Sequence, residues 1–184
     1  MKKEVGVKSL IIRYFIIILL GLPPLWFFSK VFTPLTIYPV LFILGLFFDV
    51  ILSGATILVS STFAIEIIEA CVAGSAYYLL LILNLSTPKI NLSKRIKMLL
   101  LGFLIFLVLN ILRILFLSSL YISGSGWFDF THELFWYLVS IGFVVLIWFF
   151  QVKLFKIKKI PFYSDLKTLY IASNLRKRKK SKGR

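Results

Sequence analysis

From Met98 to Tyr121 the chain runs for 24 residues with one charged side chain, Arg113. A helix needs roughly 20 apolar residues to cross the hydrocarbon core of a bilayer. Backbone placed in lipid must also satisfy its own hydrogen bonds, which a helix does within one segment. A membrane-spanning helix is therefore the low-energy solution for this stretch. Four further hydrophobic stretches cover residues 10–28, 35–52, 70–85 and 134–152. With 60% hydrophobic residues over 184 positions and a mean hydropathy of +0.97, the chain lies outside the range of soluble globular domains. The expectation is an all-α membrane protein of about five transmembrane helices. Residues 1–152 make one polytopic domain, and residues 153–184 a basic cytoplasmic tail that is disordered at its end.

Local signals modify this outline. Pro23-Pro24 should kink or end the first stretch. The second begins after Pro34 and holds Pro39. The third is short if it starts at Ala70, and long enough if it extends back through Ile65. Before it, residues 53–67 are β-branched and punctuated by Gly54, Ser60 and Ser61. This pattern predicts a short β-hairpin at the membrane surface, with a continuous helix into the third span as the competing reading.

Charge sets the orientation. The formal net charge is +15, but it does not lie on a soluble face that would bind nucleic acid. Residues 153–184 carry 12 basic side chains and one acid, Asp165. The 87–97 loop holds Lys89, Lys94, Arg95 and Lys97 and no acid. Both segments are predicted to be cytoplasmic. The 53–69 and 122–133 segments then face outward. Of the seven acids, five (Asp49, Glu66, Glu69, Asp129 and Glu133) fall in or beside them. Lys2, Lys3 and Lys8 conflict with five full spans, because they would place a basic N-terminus outside. The first hydrophobic run lacks a small-residue cleavage site and reads as a retained anchor. A single cysteine excludes an internal disulfide and a thiol-only metal site.

Three chemically capable side chains converge on the predicted outer side. Cys71 lies within a turn of the outer end of the third span, and His132 just before the fifth. Arg113 is eight residues before Tyr121, about 12 Å along a helix, and its side chain can snorkel outward. A thiolate is the working nucleophile of cysteine enzymes, an imidazole accepts and returns protons, and a water-excluded guanidinium holds an oxyanion. Asn110 is three residues before Arg113 and shares its helix face, so it can orient the guanidinium. Glu66 and Glu69 precede Cys71 on one face, as partners for Arg113 or substrate contacts. Gly74 and Ser75 suit close helix approach, and Gly74 leaves room for a peptide beside Cys71. Ser75, Tyr78 and Ser118 read as packing residues, and Tyr121, Trp127, Trp136 and Tyr137 as an outer aromatic belt. The competing reading is a non-enzymatic transporter subunit or assembly factor. There Arg113 pairs structurally with Glu69 and Cys71 only packs.

At these residues the chain resembles the exosortase/archaeosortase family of membrane cysteine transpeptidases. Three blocks carry the resemblance: Cys71-Val72-Ala73-Gly74, Asn110-Ile111-Leu112-Arg113-Ile114, and His132-Glu133. They fall in the family's order over residues 45–150. The chain departs from the bacterial members where Val72-Ala73 replaces Ser-Gly, and where Phe135 and Trp136 replace a glycine after the histidine. Some archaeal members have arginine at the place of His132. The resemblance implies a multi-pass cell-membrane enzyme with an outward-facing site and no metal or organic cofactor. Its substrates would be secreted proteins with a C-terminal sorting signal: a short motif, a hydrophobic helix and a basic cluster. Cys71 would attack the substrate carbonyl, His132 would shuttle the proton and Arg113 would stabilise the tetrahedral intermediate. The acyl group would pass to an amine acceptor such as a membrane lipid headgroup.

Overall fold

The computed structural model describes residues 26–87 and 90–157, together with Ile12 and Phe15. The first hydrophobic stretch up to Leu25, Ile12 and Phe15 aside, lies outside the described residues, as do Lys89 and the tail from 158 onward with its basic run at 176–180.

The chain order is α1 (Trp26–Leu44), β1 (Val50–Ser53), β2 (Thr56–Val59), β3 (Phe63–Glu66), α2 (Glu69–Val72), α3 (Gly74–Ser86), α4 (Leu92–Ile122), α5 (Phe128–Leu134), a π-helical segment (Phe135–Val139) and α6 (Ser140–Leu154). Three helical segments are long and apolar enough to cross a membrane: Phe27–Leu44, Glu69–Ser86 and Leu92–Ile122. Helix α6 alone is shorter than a span. The residues at its junctions, Leu134, Phe135, Val139 and Ser140, all keep right-handed helical backbone. Helices α5 and α6 therefore continue through the π segment as one rod.

Two sequence expectations need correction. Helix α1 does not begin after Pro34: it contains both Pro34 and Pro39. In a segment this apolar, backbone that left the helix would lack hydrogen-bond partners, which favours a helix that persists through both prolines. The expected hairpin is a three-stranded antiparallel meander of order β1-β2-β3. Its first strand is Val50–Ser53, of which the hydropathy pattern joins residues 50–52 to the second span. Gly54, at φ +62°, makes the tight turn between β1 and β2.

The bundle core is aromatic. Phe32 stacks on Tyr77 at 3.6 Å between ring centroids, and Phe103 and Phe106 meet Tyr77 edge-on at 5.7 and 4.8 Å. These contacts tie α1, α3 and α4 together. The two ends of the bundle differ in charge. One end holds the sheet and all five of the acids named above. Residues 45–69 and 114–140, which form it, contain no lysine or arginine. The other end holds Lys94, Arg95, Lys97, Lys153 and Lys156. There Arg95 donates to the carbonyls of Asn84, Leu85 (2.9 Å) and Thr87 (2.8 Å), and so caps the C-terminus of α3 from a different helix. Asn84 donates to Gln151 Oε1 at 3.1 Å, and Gln151 donates to the carbonyl of Met98 at 2.5 Å.

Candidate active site at the sheet end of the bundle

Cys71, Arg113 and His132 line one cavity of about 370 Å³. Strand β3 and the residues after it form one wall, α4 supplies Arg113, Leu117 and Tyr121, and α5 supplies Phe128 and His132. The three side chains that the sequence singles out thus line the same cavity.

Cys71 sits on the four-residue helix α2, which ends abruptly. Ala73 takes a left-handed conformation (φ 58°, ψ 44°), and α3 starts afresh at Gly74. A non-glycine residue in this region is strained, so the surroundings must hold it. The break leaves the carbonyls of Cys71 and Val72 without partners along the helix. Asn110, 1% exposed, supplies them: its side-chain amide donates to Cys71 O at 2.9 Å and to Val72 O at 3.5 Å. Asn110 thus has a second role that its spacing from Arg113 did not indicate.

Arg113 is 5% exposed. Its Nη1 donates to Ser140 Oγ at 3.1 Å and to Asn110 Oδ1 at 3.5 Å. Its Nε is buried without a partner. No carboxylate is among its partners in the described residues. The structural ion pair with Glu69 is not formed, because Glu69 is exposed at the start of α2 and lines neither cavity near the guanidinium. A buried cation with unused donors is costly in an apolar medium, and such a group is well suited to receive negative charge that develops beside it. Arg113 is the cation and Glu66 the anion within electrostatic reach of Cys71. Arg113 also lines a second cavity of about 380 Å³, with Ala70, Ala73, Ser75, Trp136 and Ser140. No other residue lines both, so Arg113 stands between them.

Ser140 carried no signal in the sequence. Its Oγ donates to Phe135 O at 2.8 Å, five residues back, inside the π segment. The same carbonyl accepts the Ser140 backbone N–H. In a regular α-helix, His132 and Ser140, eight residues apart, would be rotated by about 80°. A π turn takes in one additional residue, which removes about 100° and brings the two nearly into line. The π segment is therefore the reason that one rod presents His132 to the first cavity and Ser140 to Arg113.

His132 is half-buried. Its ring stacks on Phe128 (5.6 Å, 6° between planes) and meets Trp136 edge-on at 6.0 Å. Its nitrogens have no hydrogen-bond partner among the described residues, so they are available to a molecule in the cavity. Gly74 is buried and is absent from the lining of both cavities. It opens α3 rather than leaving space beside Cys71. Ser118, read as a packing residue, lines the cavity with its buried hydroxyl unpaired. Trp127 is 70% exposed, and Tyr121 packs against Phe63 and Phe128 at this end.

Compared with family models, curated proteins and solved structures, the chain matches none of them.

Proposed function

We propose that the protein is a membrane-embedded cysteine peptidase or transpeptidase. It acts on the C-terminal sorting signals of secreted surface proteins, with the sheet end facing outward and the basic end in the cytoplasm. The observation that carries this reading is the lining of one cavity by a thiol, an imidazole with free nitrogens and a buried guanidinium with unused donors.

The chemistry follows from these groups. His132 takes the proton of the Cys71 thiol, and the sulfur attacks the carbonyl carbon of the scissile peptide. The C=O π electrons move onto oxygen, and Arg113 holds the resulting oxyanion. Collapse of the intermediate breaks the C–N bond, and His132 gives its proton to the departing amine. A thioester on Cys71 remains. An incoming amine or water attacks this thioester, loses a proton to His132 and releases the Cys71 sulfur, which is reprotonated. Burial of the site favours an amine over water as acceptor, and a lipid headgroup amine is the acceptor nearest to hand at a membrane surface.

The test compares cells carrying the wild type with cells carrying Cys71→Ala, reading the C-termini of surface proteins by mass spectrometry. The expected result is a set of proteins that lose a C-terminal helix only when Cys71 is intact. Identical C-termini, with both forms stably expressed, would sink the proposal.

A further inference from the structure

We propose that strand β3 is a docking edge for an extended polypeptide, which pairs with it as a fourth strand and so lays its backbone past Cys71. This inference rests on the peptidase reading for its purpose, but its physical content is separate.

Strand β3 ends the sheet, since the order is β1-β2-β3. The register pairs Glu66 with Thr56 and Phe63 with Val59, and the Ile67 N–H continues the ladder by donating to Ala55 O at 2.9 Å. Antiparallel pairing alternates between residues whose backbone groups face the partner and residues whose groups face away. Ile67 fixes the phase: Phe63, Ile65 and Ile67 turn their N–H and C=O groups to β2. Ala64 and Glu66 then turn theirs to the open side, where no described element bonds to them. Ala64, Ile65, Glu66, Ile67 and Ile68 all line the Cys71 cavity. A strand that presented a face would contribute alternate residues, whereas Ala64, Ile65 and Glu66 are successive, so β3 presents its edge, and Ile67 and Ile68 after it continue the wall.

An open edge of alternating N–H and C=O groups is complementary to one thing above all, another extended backbone. Soluble proteins blunt such edges with lysines or prolines, and β3 has neither. The edge leads directly to the nucleophile, for the carbonyl of Ile68 accepts the N–H of Cys71 at 2.9 Å. Charge limits the occupant. Of the residues that line the cavity, Glu66 is the carboxylate and lies on the strand itself, while Arg113 is the cation and lies across from it on α4, bonded to Asn110 and Ser140. The occupant is therefore an extended segment with apolar and basic side chains, free of acids where it passes Glu66. The cavity, at about 370 Å³, lies at the lower end of the range for ligand sites, roughly 300–1,000 Å³, which suits a few residues.

The experiment uses full-length Cys71→Ala protein in lipid nanodiscs, so that binding is read without chemistry. The probe is a fluorescent nonapeptide of alternating valine and threonine with a central arginine, followed by anisotropy. A set of singly N-methylated versions of the same peptide is compared with it. Strand addition predicts a period of two: methylation at alternate amides weakens binding about fivefold each, the worth of one hydrogen bond, and methylation between them changes little. Ala64→Pro, which removes an N–H from the open side only, is expected to weaken binding by a similar factor. Glu66→Gln should weaken the arginine peptide more than an uncharged analogue. Binding that tolerates every methylation would mean side-chain docking in the cleft and would overturn the proposal, as would no binding at all. The N-methyl series leaves the protein untouched, so a poorly folded Ala64→Pro variant does not decide the matter. Period-two binding together with unchanged C-termini in cells would keep the docking edge and remove the peptidase reading.

Discussion

The side-chain amide of Asn110 donates to the backbone carbonyl of Cys71 at 2.9 Å, while its oxygen accepts from Arg113 Nη1 at 3.5 Å. One buried amide thus fixes both the helix stub that bears the thiol and the guanidinium that faces the same cavity.

Asn110→Ala removes the donor to the part-buried carbonyl of Cys71 and the buried carbonyl of Val72, and an acceptor of Arg113. Each buried polar group left unpaired costs about 1–3 kcal/mol. Thermal unfolding in detergent should register a loss of this order. Processing per folded molecule, measured well below the transition, should fall as well. A variant that unfolds earlier but processes at the wild-type rate would confine Asn110 to a structural role.

Arg113→Lys keeps the charge but loses the planar fork, so it cannot hold Ser140 and still present donors to the cavity. Loss of one oxyanion donor slows acyl transfer roughly 10²–10³-fold. Pulse–chase of a processed surface protein should show a decrease of that size. Glu69→Gln is the contrasting variant. Because Glu69 is exposed and makes no pair with Arg113, its stability should stay within about 0.5 kcal/mol of the wild type. A marked loss there would restore the structural ion pair.

Deleting Leu138 shortens the π segment by one residue and allows it to relax to an α-helix. His132 and Ser140 are then seven residues apart, a rotation of about 700°, which leaves them within about 20° of line, as the π segment does. Processing should survive the deletion, and the helical content, followed by circular dichroism, should stay near that of the wild type. Ser140→Thr, which keeps the hydroxyl, should retain more activity than Ser140→Ala. Loss of processing on the deletion would show that the π segment does more than align the two residues, and equal activity in the two Ser140 variants would separate the hydroxyl from the site.

Arg95→Ala tests the opposite end. Three carbonyls at the end of α3 lose a charged donor, and hydrogen bonds of this kind are worth about 1.5–3 kcal/mol each. Unfolding should shift to lower temperature, yet processing per folded molecule should not change. A large drop in specific processing would mean that the two ends are coupled.

The sequence carried the membrane character through its long apolar runs, and it carried the gathering of Cys71, Arg113 and His132 through their distance from the span ends. Asn110 was legible as a neighbour of Arg113 because helical spacing is regular. Its bonds to Cys71 and Val72 were not, because they depend on the left-handed Ala73, and no local signal marks an alanine for that conformation. Ser140 was hidden for a similar reason: a π turn changes which residues share a face, and periodicity arguments assume that it is absent. Residues 50–52 read as the end of the second span because they are apolar, and hydropathy does not distinguish a strand lying on the bundle from the end of a helix. Glu69 drew attention by its charge beside Cys71, but its position on the first turn of α2 points it to solvent.

The left-handed Ala73 has a mechanical consequence. It makes the cysteine helix a short stub, tied to β3 through Ile68 and to α4 through Asn110, rather than the top of a continuous rod. Helices adapt to bilayers of different thickness by tilting, and a rod carrying the thiol would sweep it through an arc as it did so. With the break directly below Cys71, the direction of α3 does not by itself set the position of the thiol, which the residues after the strand and Asn110 hold.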